Sequence, residues 1–309
     1  MRKYDLLVAG EINPDLILAV PDSKIEFGQV ETLAENGILT IGSSSVIFAC
    51  GAARLGLKVG FHGVVGEDAF GHFMLDEMQQ RGIDTANVIV DRDQQTGFSV
   101  ILNHGADRAI LTYLGAINSL SPDHLTDEIL SQARHLHIAS FFLQSQLRPG
   151  VANIFRRAHS LGLMTSLDTN WDPTGEWAGV EAVLAHTSVF LPNLAEAQAL
   201  TGEEDVEEVL ARLSSQAETV AVKLGARGAV ARQGTEIVRI GAPQVQVIDT
   251  VGAGDSFDAG FIYGYLQGWP LQLCLQLAVV CGSQSTQVAG GATGQPTLTE
   301  AMKLVRELA

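Results

Sequence analysis

Short apolar runs alternate with longer amphipathic stretches along most of the chain, and this alternation constrains the fold more than any other feature. The apolar runs predict buried strands at Leu6–Ala9, Val59–Val64, His135–Ile138, Met164–Leu167, Ser188–Leu191 and Thr219–Val222. The amphipathic stretches predict helices at Val46–Leu55, Phe70–Gln80, Pro149–Ser160, Leu194–Leu200, Val206–Ser215 and Leu271–Thr286. Strands that alternate with helices build a sheet covered by helices, so the sequence predicts an α/β fold with a central, mostly parallel, Rossmann-like sheet.

Two stretches interrupt this rhythm, at about residues 12–40 and 96–114. The second contains strand-like runs at Phe98–Leu102 and Ala109–Tyr113, separated by the turn-prone Asn103–Gly105. We expect both stretches to form a small β lid inserted in the α/β core. The sequence contains no repeat, low-complexity tract or long linker, so residues 1–309 are predicted to form a single domain.

The charge balance limits the partners that the protein can bind. The 309 residues include 35 acidic residues and 19 Lys or Arg, which gives a formal net charge of −16. Nucleic-acid binding needs massed basic residues, so no nucleic-acid partner is expected. A nucleotide is compatible with this charge, because backbone amides and a helix N-terminus hold phosphate locally.

The sequence shows neither secretory nor membrane features. Its three cysteines, Cys50, Cys274 and Cys281, have no paired spacing, which is typical of a reducing cytoplasm. The N-terminus runs into a short strand without the apolar stretch of a signal peptide. Residues 259–299 carry no charge, but their best apolar run, Leu271–Cys281, is too short to span a bilayer. We therefore expect a cytoplasmic protein with buried helices and no membrane partner.

The most informative segment is residues 249–260, which read DTVGAGDSFDAG. It follows a β-like run at Val245–Ile248 and opens a helical stretch from about Asp255 onward. Gly252 and Gly254 allow close backbone approaches, and successive amides there can form an anion-binding nest at the positive end of a helix. An ordinary Asp at a helix start after a glycine turn would explain part of the segment, but not all of it.

A carboxylate beside an anion-binding nest suits phosphoryl transfer to an alcohol. That reaction needs positioning and electrostatic stabilisation of the transferred group, together with one group that deprotonates the nucleophile. Asp255 lies where such a base would be needed.

Segment 249–260 resembles the C-terminal signature of the ribokinase-like (PfkB) family of carbohydrate and nucleoside kinases. Residues 42–56 lie where the N-terminal signature of that family belongs, and Val64–Gly71 is similar to a further family stretch, so the resemblance covers nearly the whole chain. It implies a ribokinase-like fold and an ATP-dependent sugar kinase with ATP and Mg²⁺ as cofactors. It also implies that Asp255 is the catalytic base and that the anion hole consists of the amides of Gly252, Ala253 and Gly254.

The resemblance assigns the nucleotide side of the site residue by residue. Asp168 and Asn170 follow a predicted strand, where open α/β sheets bind ligands, and they are expected on the phosphate side of the cleft. Asn193 and Glu196 match an Asn-x-x-Glu element in which Glu196 organises Mg²⁺ through water. The same spacing also serves plain helix capping.

Residues 223–228 resemble the family's nucleotide loop, and Lys223, Gly225 and Gly228 are the residues expected to contact the nucleotide. A glycine-rich hairpin is the alternative interpretation of this loop. By the same resemblance, a monovalent cation such as K⁺ is expected near Asp249.

The acceptor contacts implied by the resemblance begin after the first strand. Asn13 and Asp15 would point to the same side of an extended chain, which suits a polyol, although an Asx turn accounts for them equally well. The other residues expected at the acceptor are Gly42, Ser43, Thr96, Arg108 and Asp255.

The chain departs from the family pattern at two places. Many relatives have a Gly-Gly pair followed by a sugar-binding Asn, whereas this chain has Gly42-Ser43 and then Ile47. The serines at 43–45 are expected to replace part of that contact. The Arg that often follows the Asp-x-Asn motif is absent from Trp171–Pro173. Both changes concern acceptor recognition and leave the phosphoryl-transfer residues in place.

Other kinds of site find little support in the sequence. There is no Gly-Lys pair for a Walker loop and no Gly-x-Gly-x-x-Gly after the first strand. His135 and His137 are too few for zinc and are predicted to pack. The remaining alternatives to a sugar kinase are a nucleoside kinase of the same family and a non-catalytic sugar or nucleotide sensor of the same fold. Lids of this family often pair, so a homodimer through the lid is a further expectation.

Overall fold

The computed structural model describes residues 2–20, 28, 31–104 and 107–308. The strands of these residues are β1 Tyr4–Ala9, β2 Pro14–Ala19, β3 Asn36–Ile41, β4 Val59–His62, β5 Val64–Gly66, β6 Ile89–Asp91, β7 Phe98–His104, β8 Asp107–Tyr113, β9 Ala133–Ile138, β10 Met164–Leu167, β11 Val189–Phe190, β12 Thr219–Lys223, β13 Ala229–Gln233 and β14 Glu236–Ile240. The α-helices are α1 Ser44–Leu55, α2 Ala69–Gln80, α3 Asp127–Leu130, α4 Val151–Ser160, α5 Val180–Leu184, α6 Leu194–Thr201, α7 Val206–Leu213, α8 Ala253–Leu266, α9 Leu271–Ser285 and α10 Leu298–Glu307.

An eight-stranded sheet forms the centre of the fold, in the order β14-β13-β12-β11-β10-β9-β1-β4. The strands from β12 to β4 in this order run parallel, and β13 and β14 extend the sheet as an antiparallel hairpin. This confirms the predicted α/β fold with a mostly parallel sheet. The parallel strands bring their carboxyl ends to one edge of the sheet, where such folds bind ligands.

Both faces of the central sheet are buried, as the apolar runs predict. In β1, Leu6 and Val8 belong to one hydrophobic cluster, whereas Leu7 and Ala9 belong to a second cluster. Successive side chains of a strand point to opposite faces, so the two clusters are the layers above and below the sheet. Helices α1, α8 and α9 pack in the first layer, and α4 packs in the second.

A separate sheet of four strands, in the order β3-β2-β7-β8, contains the two stretches predicted as a lid. Its strand register aligns two rows of side chains on opposite faces. One row is Ile38, Ile17, Ile101 and Ile110, and the other is Leu39, Leu16, Val100 and Leu111. The first row faces the cleft described below, because Ile101 and Ile110 line it. The second row therefore forms the outer face of this sheet.

Helices α8 and α9 pack against each other at unusually short range, which glycines make possible. A Cβ at Gly260 would lie 2.9 Å from the Cα of Ala278, and one at Gly264 would lie 3.0 Å from Sγ of Cys274. The Gly260-x-x-x-Gly264 spacing therefore serves close packing of two helices within the core. Within the described part of the chain, every helix is too short or too polar to cross a membrane.

Three local predictions differ from the structure. The run Val59–Val64 divides at Gly63, because β5 leaves the central sheet to pair with β6. A Cβ at Gly63 would lie 2.6 Å from the carbonyl oxygen of Gly10, so the break needs glycine. The β-like run Val245–Ile248 is irregular, and the sequence analysis did not predict the edge hairpin β13–β14, whose strands mix apolar residues with Arg, Gln and Glu.

Two histidines lie inside the central sheet. His135 Nε2 and His137 Nδ1 are each 2.7 Å from the hydroxyl oxygen of Ser166 on the neighbouring strand. The His137 ring also stacks on Phe48, with ring centroids 3.7 Å apart. Burial lowers the pKa of His135 well below its usual range, and it lowers the pKa of His137 to about 3. Both imidazoles are therefore neutral parts of the core at neutral pH.

We expect His135 and His137 to contribute a decrease in the free energy of unfolding as the pH falls below 6.5, the ordinary pKa of histidine. The unfolded chain then binds protons at His135 and His137, whereas the folded chain does not, so protonation favours unfolding. Buried carboxyl groups with raised pKa values, such as Asp15 and Glu196, contribute with the opposite sign, so the histidine contribution is read from a comparison of variants. Urea denaturation at pH 7 and pH 5 gives the change in the free energy of unfolding for each protein. His137→Phe should shift this change towards greater stability at pH 5, whereas the exposed His72→Gln should leave it as in the wild-type protein. Equal differences in all three proteins would contradict the explanation.

Candidate active site

A cleft of about 690 Å³ lies where the carboxyl ends of the central strands meet the first turn of α8. Asp168 follows β10, Asn193 follows β11, and Lys223 ends β12. Ile101 and Ile110 of the four-stranded sheet cover the other side of the cleft. The topology thus brings residues from distant parts of the chain to a single concave site.

The first turn of α8 borders this cleft. Its N-cap residue, Gly252, has a φ of 71°, and no side chain caps the first amides of the helix. A Cβ at Gly252 would lie 2.6 Å from the carbonyl oxygen of Gly291, so this turn requires glycine. The positive end of α8 is therefore open to an anion.

A second cavity of about 360 Å³ adjoins the cleft. Its lining includes Val245, Val247, Phe257 and Val279, so much of its wall is apolar. The residues that line both cavities are Lys223, Gly225, Thr250 and Gly254. A side chain at position 254 would fill the passage between them. An apolar slot that opens onto a helix N-terminus fits a nucleotide whose base enters the slot and whose phosphates reach α8.

Asp255 lies in the first turn of α8 and lines the cleft. Burial raises the pKa of its carboxyl group to about 8, and the charge of Asp168 acts in the same direction. Lys223 opposes this rise, and the Ser44 hydroxyl acts in the same direction as Lys223. Asp255 therefore has a much higher proton affinity than an exposed aspartate.

Lys223 holds the nearby carboxylates together. Its Nζ donates to Asp168 Oδ2 at 2.7 Å and to Asp258 Oδ1 at 3.1 Å. Burial alone would lower the pKa of Lys223, but Asp168 and Asp258 outweigh this effect and raise it, so the ammonium stays charged. Burial tends to raise the pKa of Asp168, but Lys223 outweighs it and keeps that pKa below its usual value.

Sequence reasoning missed Asp258 as a member of this group. Burial raises the pKa of Asp258 well above its usual range, with Lys223 acting against the rise. Its position three residues after Asp255, on the same helix face, was a signal that could have indicated it.

Asn193 and Glu196 begin α6 as a reciprocal cap. The Asn193 amide donates to Glu196 Oε1 at 2.6 Å, and its backbone N–H donates to Glu196 Oε2 at 2.9 Å. Burial raises the pKa of Glu196 to about 7, and Asp168 adds to the rise. Both residues line the cleft, so the capping hydrogen bonds leave them at its surface.

The carboxylates of the cleft are compatible with Mg²⁺ held mainly by phosphate and water. Among the described residues, no group of three or more His, Cys, Asp or Glu side chains could hold a metal by itself. Magnesium in phosphoryl-transfer sites keeps several waters and takes one or two carboxylates. Glu196, buried beside Asp168 and open to the cleft, suits such a contact.

The predicted acceptor residues of the N-terminal region lie together at the opposite end of the cleft. Asn13, Asp15 and Ser43 line it, and the Asn13 amide is 3.4 Å from Asp15 Oδ1. A Cβ at Gly42 would lie 2.2 Å from Asp15 Oδ1, which explains the glycine. Burial raises the pKa of Asp15 to about 7. Ile47 also lines the cleft and adds apolar surface where many relatives present an Asn.

Some predicted residues lie elsewhere. Thr96 does not line the cleft, and its hydroxyl accepts from the backbone of Gly66 at 2.8 Å. Gly228 lines the apolar cavity. Asp249 lines neither cavity, and its carboxylate accepts from the amides of Val251 and Gly290, each at 3.0 Å. The side chain of Arg108 lies outside the described part of the structure.

Trp171 is a cleft residue without an assigned role in the sequence analysis. Its side chain is 57% exposed, lines the cleft and meets Trp177 edge-on, with ring centroids 5.1 Å apart. An exposed aromatic face beside polar groups suits a ligand with polar and apolar surfaces. A bulky aromatic residue directly after Asn170 was the available signal.

Comparisons with known proteins agree with this geometry. The sequence model described as pfkB family carbohydrate kinase matches residues 4–298. The 2-dehydro-3-deoxygluconokinase of Bacillus subtilis is 31% identical over 265 residues, which are 81% of each chain. Arabidopsis thaliana ribokinase complexed with ribose and ATP has the same fold, with a TM-score of 0.85 and 24% identity over 98% of this chain and 99% of that one. A putative ribokinase II of E. coli in complex with ATP and Mg²⁺ also has a TM-score of 0.85, with 22% identity over 98% and 99% of the two chains.

The resemblance seen in residues 249–260 is thereby confirmed, since the matched family and the aligned kinases cover nearly the whole chain. This chain belongs to the pfkB family of carbohydrate kinases.

Proposed function

We propose that this protein is a cytoplasmic kinase that uses MgATP to phosphorylate a hydroxyl of a sugar or sugar-like small molecule. The observation that carries the proposal is the buried carboxylate of Asp255 at the open N-terminus of α8, between an apolar cavity and a polar cleft. Family membership and the ATP and Mg²⁺ in similar structures support the cofactors. The three buried free cysteines agree with a reducing compartment.

In the proposed reaction, Asp255 accepts the proton of the acceptor hydroxyl as its oxygen attacks the γ-phosphorus. The bond between that phosphorus and the nucleotide breaks, and the electron pair leaves with the nucleotide. The raised pKa of Asp255 makes the ionised carboxylate a stronger base than an exposed aspartate. The amides of Gly252, Ala253 and Gly254 stabilise charge on the transferred group.

The other charged residues serve the nucleotide in this proposal. Lys223 lies at the passage between the cavities and stays protonated, so it offsets phosphate charge. Bound Mg²⁺ would neutralise phosphate oxygens, with Glu196 contacting it through water. Asp168 keeps Lys223 in place through its 2.7 Å ion pair.

The four-stranded sheet is proposed to act as the lid of a single kinase domain formed by residues 1–309. Its cleft-facing residues Ile101 and Ile110 lie over the acceptor end of the site. Closure over the acceptor would exclude water and limit hydrolysis of ATP. A non-catalytic sensor of the same fold has less support, because Asp255, Glu196 and Lys223 converge on one cleft.

A test of the proposed function is ATP consumption against a panel of hexoses, sugar acids, pentoses and nucleosides. We expect one acceptor class to raise ATP consumption well above the rate without acceptor. Asp255→Asn should lower kcat for that acceptor by about 10²–10⁴-fold, because it removes the base. Its affinity for ATP, measured by calorimetry, should change little.

The matched control is Asp93→Asn, an exposed aspartate remote from the cleft residues, which should retain full turnover. In the wild-type protein, kcat/KM should rise with pH towards about 8, because the base acts in its ionised form. Near-normal turnover of Asp255→Asn would refute the assignment of the base.

We further propose that K⁺ binds beside Asp249. The Asp249 carboxylate ties the turn before α8 to the loop at Gly290, and each oxygen accepts a single backbone hydrogen bond, so lone pairs remain for a cation. A bound cation would order the turn before α8. An ordered turn would hold the amides of the proposed anion hole in position. Turnover should therefore increase when K⁺ replaces tetramethylammonium at constant ionic strength. Equal turnover rates in both salts would contradict K⁺ binding beside Asp249.

We also propose a homodimer formed through the lid. The outer face of the four-stranded sheet carries Leu39, Leu16, Val100 and Leu111 in one row, and Leu111 is 60% exposed. Pairing of two such faces would bury this apolar surface. Sedimentation equilibrium should give twice the chain mass of 32.9 kDa, and Leu111→Lys should shift the mass towards that of one chain. A single-chain mass at micromolar concentration would contradict the dimer.

A further inference from the structure

Strained backbone is concentrated at one place beside the cleft. Among the described residues other than glycine, those with a positive φ are Ser43, Ser140, Asn170 and Trp177, with values of 67°, 50°, 51° and 53°. Such conformations cost free energy and persist only where surrounding contacts hold them. The first three line the cleft, and Trp177 packs against Trp171, which lines it as well. Strain of this kind makes the surroundings of Trp171 a candidate for a ligand-binding surface.

The loop that carries Trp171 is folded around the carboxylate of Asp172. This residue is 1% exposed, and its carboxylate accepts from Thr174 N at 2.9 Å, from Thr174 Oγ1 at 2.8 Å and from Trp177 N at 2.7 Å. The carboxylate therefore turns into its own loop and does not line the cleft. The segment in which an Arg is absent thus presents Trp171, and not a new charge, to the cleft.

Trp171 stands at the end of a row of aromatic rings. It meets Trp177 edge-on with ring centroids 5.1 Å apart, Trp177 meets Phe142 edge-on at 5.3 Å, and Phe142 meets Phe141 edge-on at 5.1 Å. Both phenylalanines are buried in the second hydrophobic cluster, so the row is anchored in the core. Edge-on contacts between aromatic rings are favourable and fix their relative orientation. The row therefore braces the indole of Trp171 while leaving the residue 57% exposed.

The place of Trp171 in the cleft follows from the residue before it. Asn170 Oδ1 accepts from the backbone N–H of Ser140 at 2.8 Å, and the Asn170 amide nitrogen donates to Ser44 Oγ at 2.9 Å. Ser44 begins α1 and follows Ser43, one of the predicted acceptor residues. Trp171 therefore belongs to the acceptor end of the cleft, and among the described residues it is the only aromatic one that lines the cleft.

The serines of this region are largely engaged within the protein. The buried carboxylate of Glu11 accepts hydrogen bonds from Ser45 Oγ at 2.5 Å, Ser45 N at 3.1 Å, Ser43 Oγ at 3.1 Å and Ser140 Oγ at 2.9 Å. Two of the three hydroxyls at 43–45 thus bond to Glu11, and the third accepts from Asn170. Trp171 is the large surface of this region that these internal contacts leave uncovered.

We propose that Trp171 is a specificity-determining residue, whose indole stacks on the apolar face of a closed sugar ring in the acceptor. The inference rests on the proposed function. A sugar ring carries C–H groups on its faces and hydroxyl groups around its rim, so it can stack on an aromatic ring while its hydroxyls bind polar groups of the cleft. Because the indole is already held by its aromatic neighbours, little conformational freedom is lost when the acceptor binds.

The test compares Trp171→Ala, Trp171→Leu and Trp171→Phe with the wild-type protein, using the acceptor from the panel that gives the highest turnover. We expect Trp171→Ala to raise the KM for the acceptor about tenfold through loss of the stacking contact. The values of kcat and of the KM for ATP should change little, because the contact is remote from the reacting atoms and forms equally in the ground state and the transition state. Trp171→Leu, which is apolar but not flat, should behave like Trp171→Ala. Trp171→Phe keeps an aromatic face and should stay close to the wild-type protein.

The matched control is Ile237→Ala, which truncates an apolar residue that is 53% exposed on β14 and lines neither cavity. This variant should keep the wild-type kinetic constants. An unchanged acceptor KM in Trp171→Ala would overturn the proposal. A wild-type KM in Trp171→Leu would also overturn it, since apolar bulk and not stacking would then explain the contact. A best acceptor that has no ring form would contradict it as well.

A second measurement covers the case in which the Trp171 variants do not fold. The chain has three tryptophans, of which Trp171 is exposed, whereas Trp177 and Trp269 are half-buried. Acrylamide should therefore quench mainly the fluorescence of Trp171, and saturating acceptor without ATP should reduce this quenching in the wild-type protein. Unchanged quenching at saturation would overturn the proposal.

The outcomes separate this inference from the proposed function. Normal turnover in Asp255→Asn, or no turnover with any acceptor, would defeat the proposed function and this inference with it. An inactive Asp255→Asn together with a wild-type acceptor KM in Trp171→Ala would defeat only the role of Trp171.

Discussion

The ion pair between Lys223 and Asp168 is the interaction on which the candidate site depends. Its two partners are buried, and Nζ to Oδ2 measures 2.7 Å. Removing either partner from such a pair leaves an uncompensated charge, which is far more costly than the net stabilisation from the intact pair. The pair also ties the end of β12 to the residue that follows β10, across the intervening strand β11.

The surroundings of this pair explain the high proton affinity of the neighbouring carboxyl groups. Asp255, Asp258 and Glu196 all have raised pKa values, with burial as the largest cause in each. A single ammonium cannot compensate every nearby carboxylate at low dielectric, so the added negative charges are disfavoured. The arrangement therefore keeps carboxyl groups of high proton affinity around one buried ammonium group in the cleft.

Two kinds of contact then give the site its shape. Glycines allow main-chain approaches, as at Gly252 against Gly291 and at Gly42 against Asp15. Buried polar networks hold side chains in single orientations, as around Glu11. A buried polar network specifies one arrangement only when its members are satisfied, and the four donors around Glu11 meet that condition. The four-stranded sheet adds Ile101 and Ile110 as an apolar wall of the cleft.

The sequence by itself determined the fold class and the chemistry of the α8 turn. Both depend on local pattern, because the alternation of apolar runs and helices needs no knowledge of distant contacts, and residues 249–260 form a continuous motif. For the same reason, Val245–Ile248 was wrongly predicted to be β-like and the hairpin β13–β14 was not predicted, since their state depends on neighbouring strands rather than on their own periodicity.

The tertiary structure alone decided which side chains meet. Lys223 pairs with Asp168 and Asp258, 55 and 35 residues away in sequence, because the order of the strands places the ends of β10 and β12 on either side of β11, where α8 begins. The same packing brings Glu11 to Ser140, 129 residues away, and leaves Thr96 bonded to Gly66 outside the cleft. Local sequence carries periodicity and turn chemistry, whereas contacts across such distances are set by strand order and by the packing of helices on the sheet.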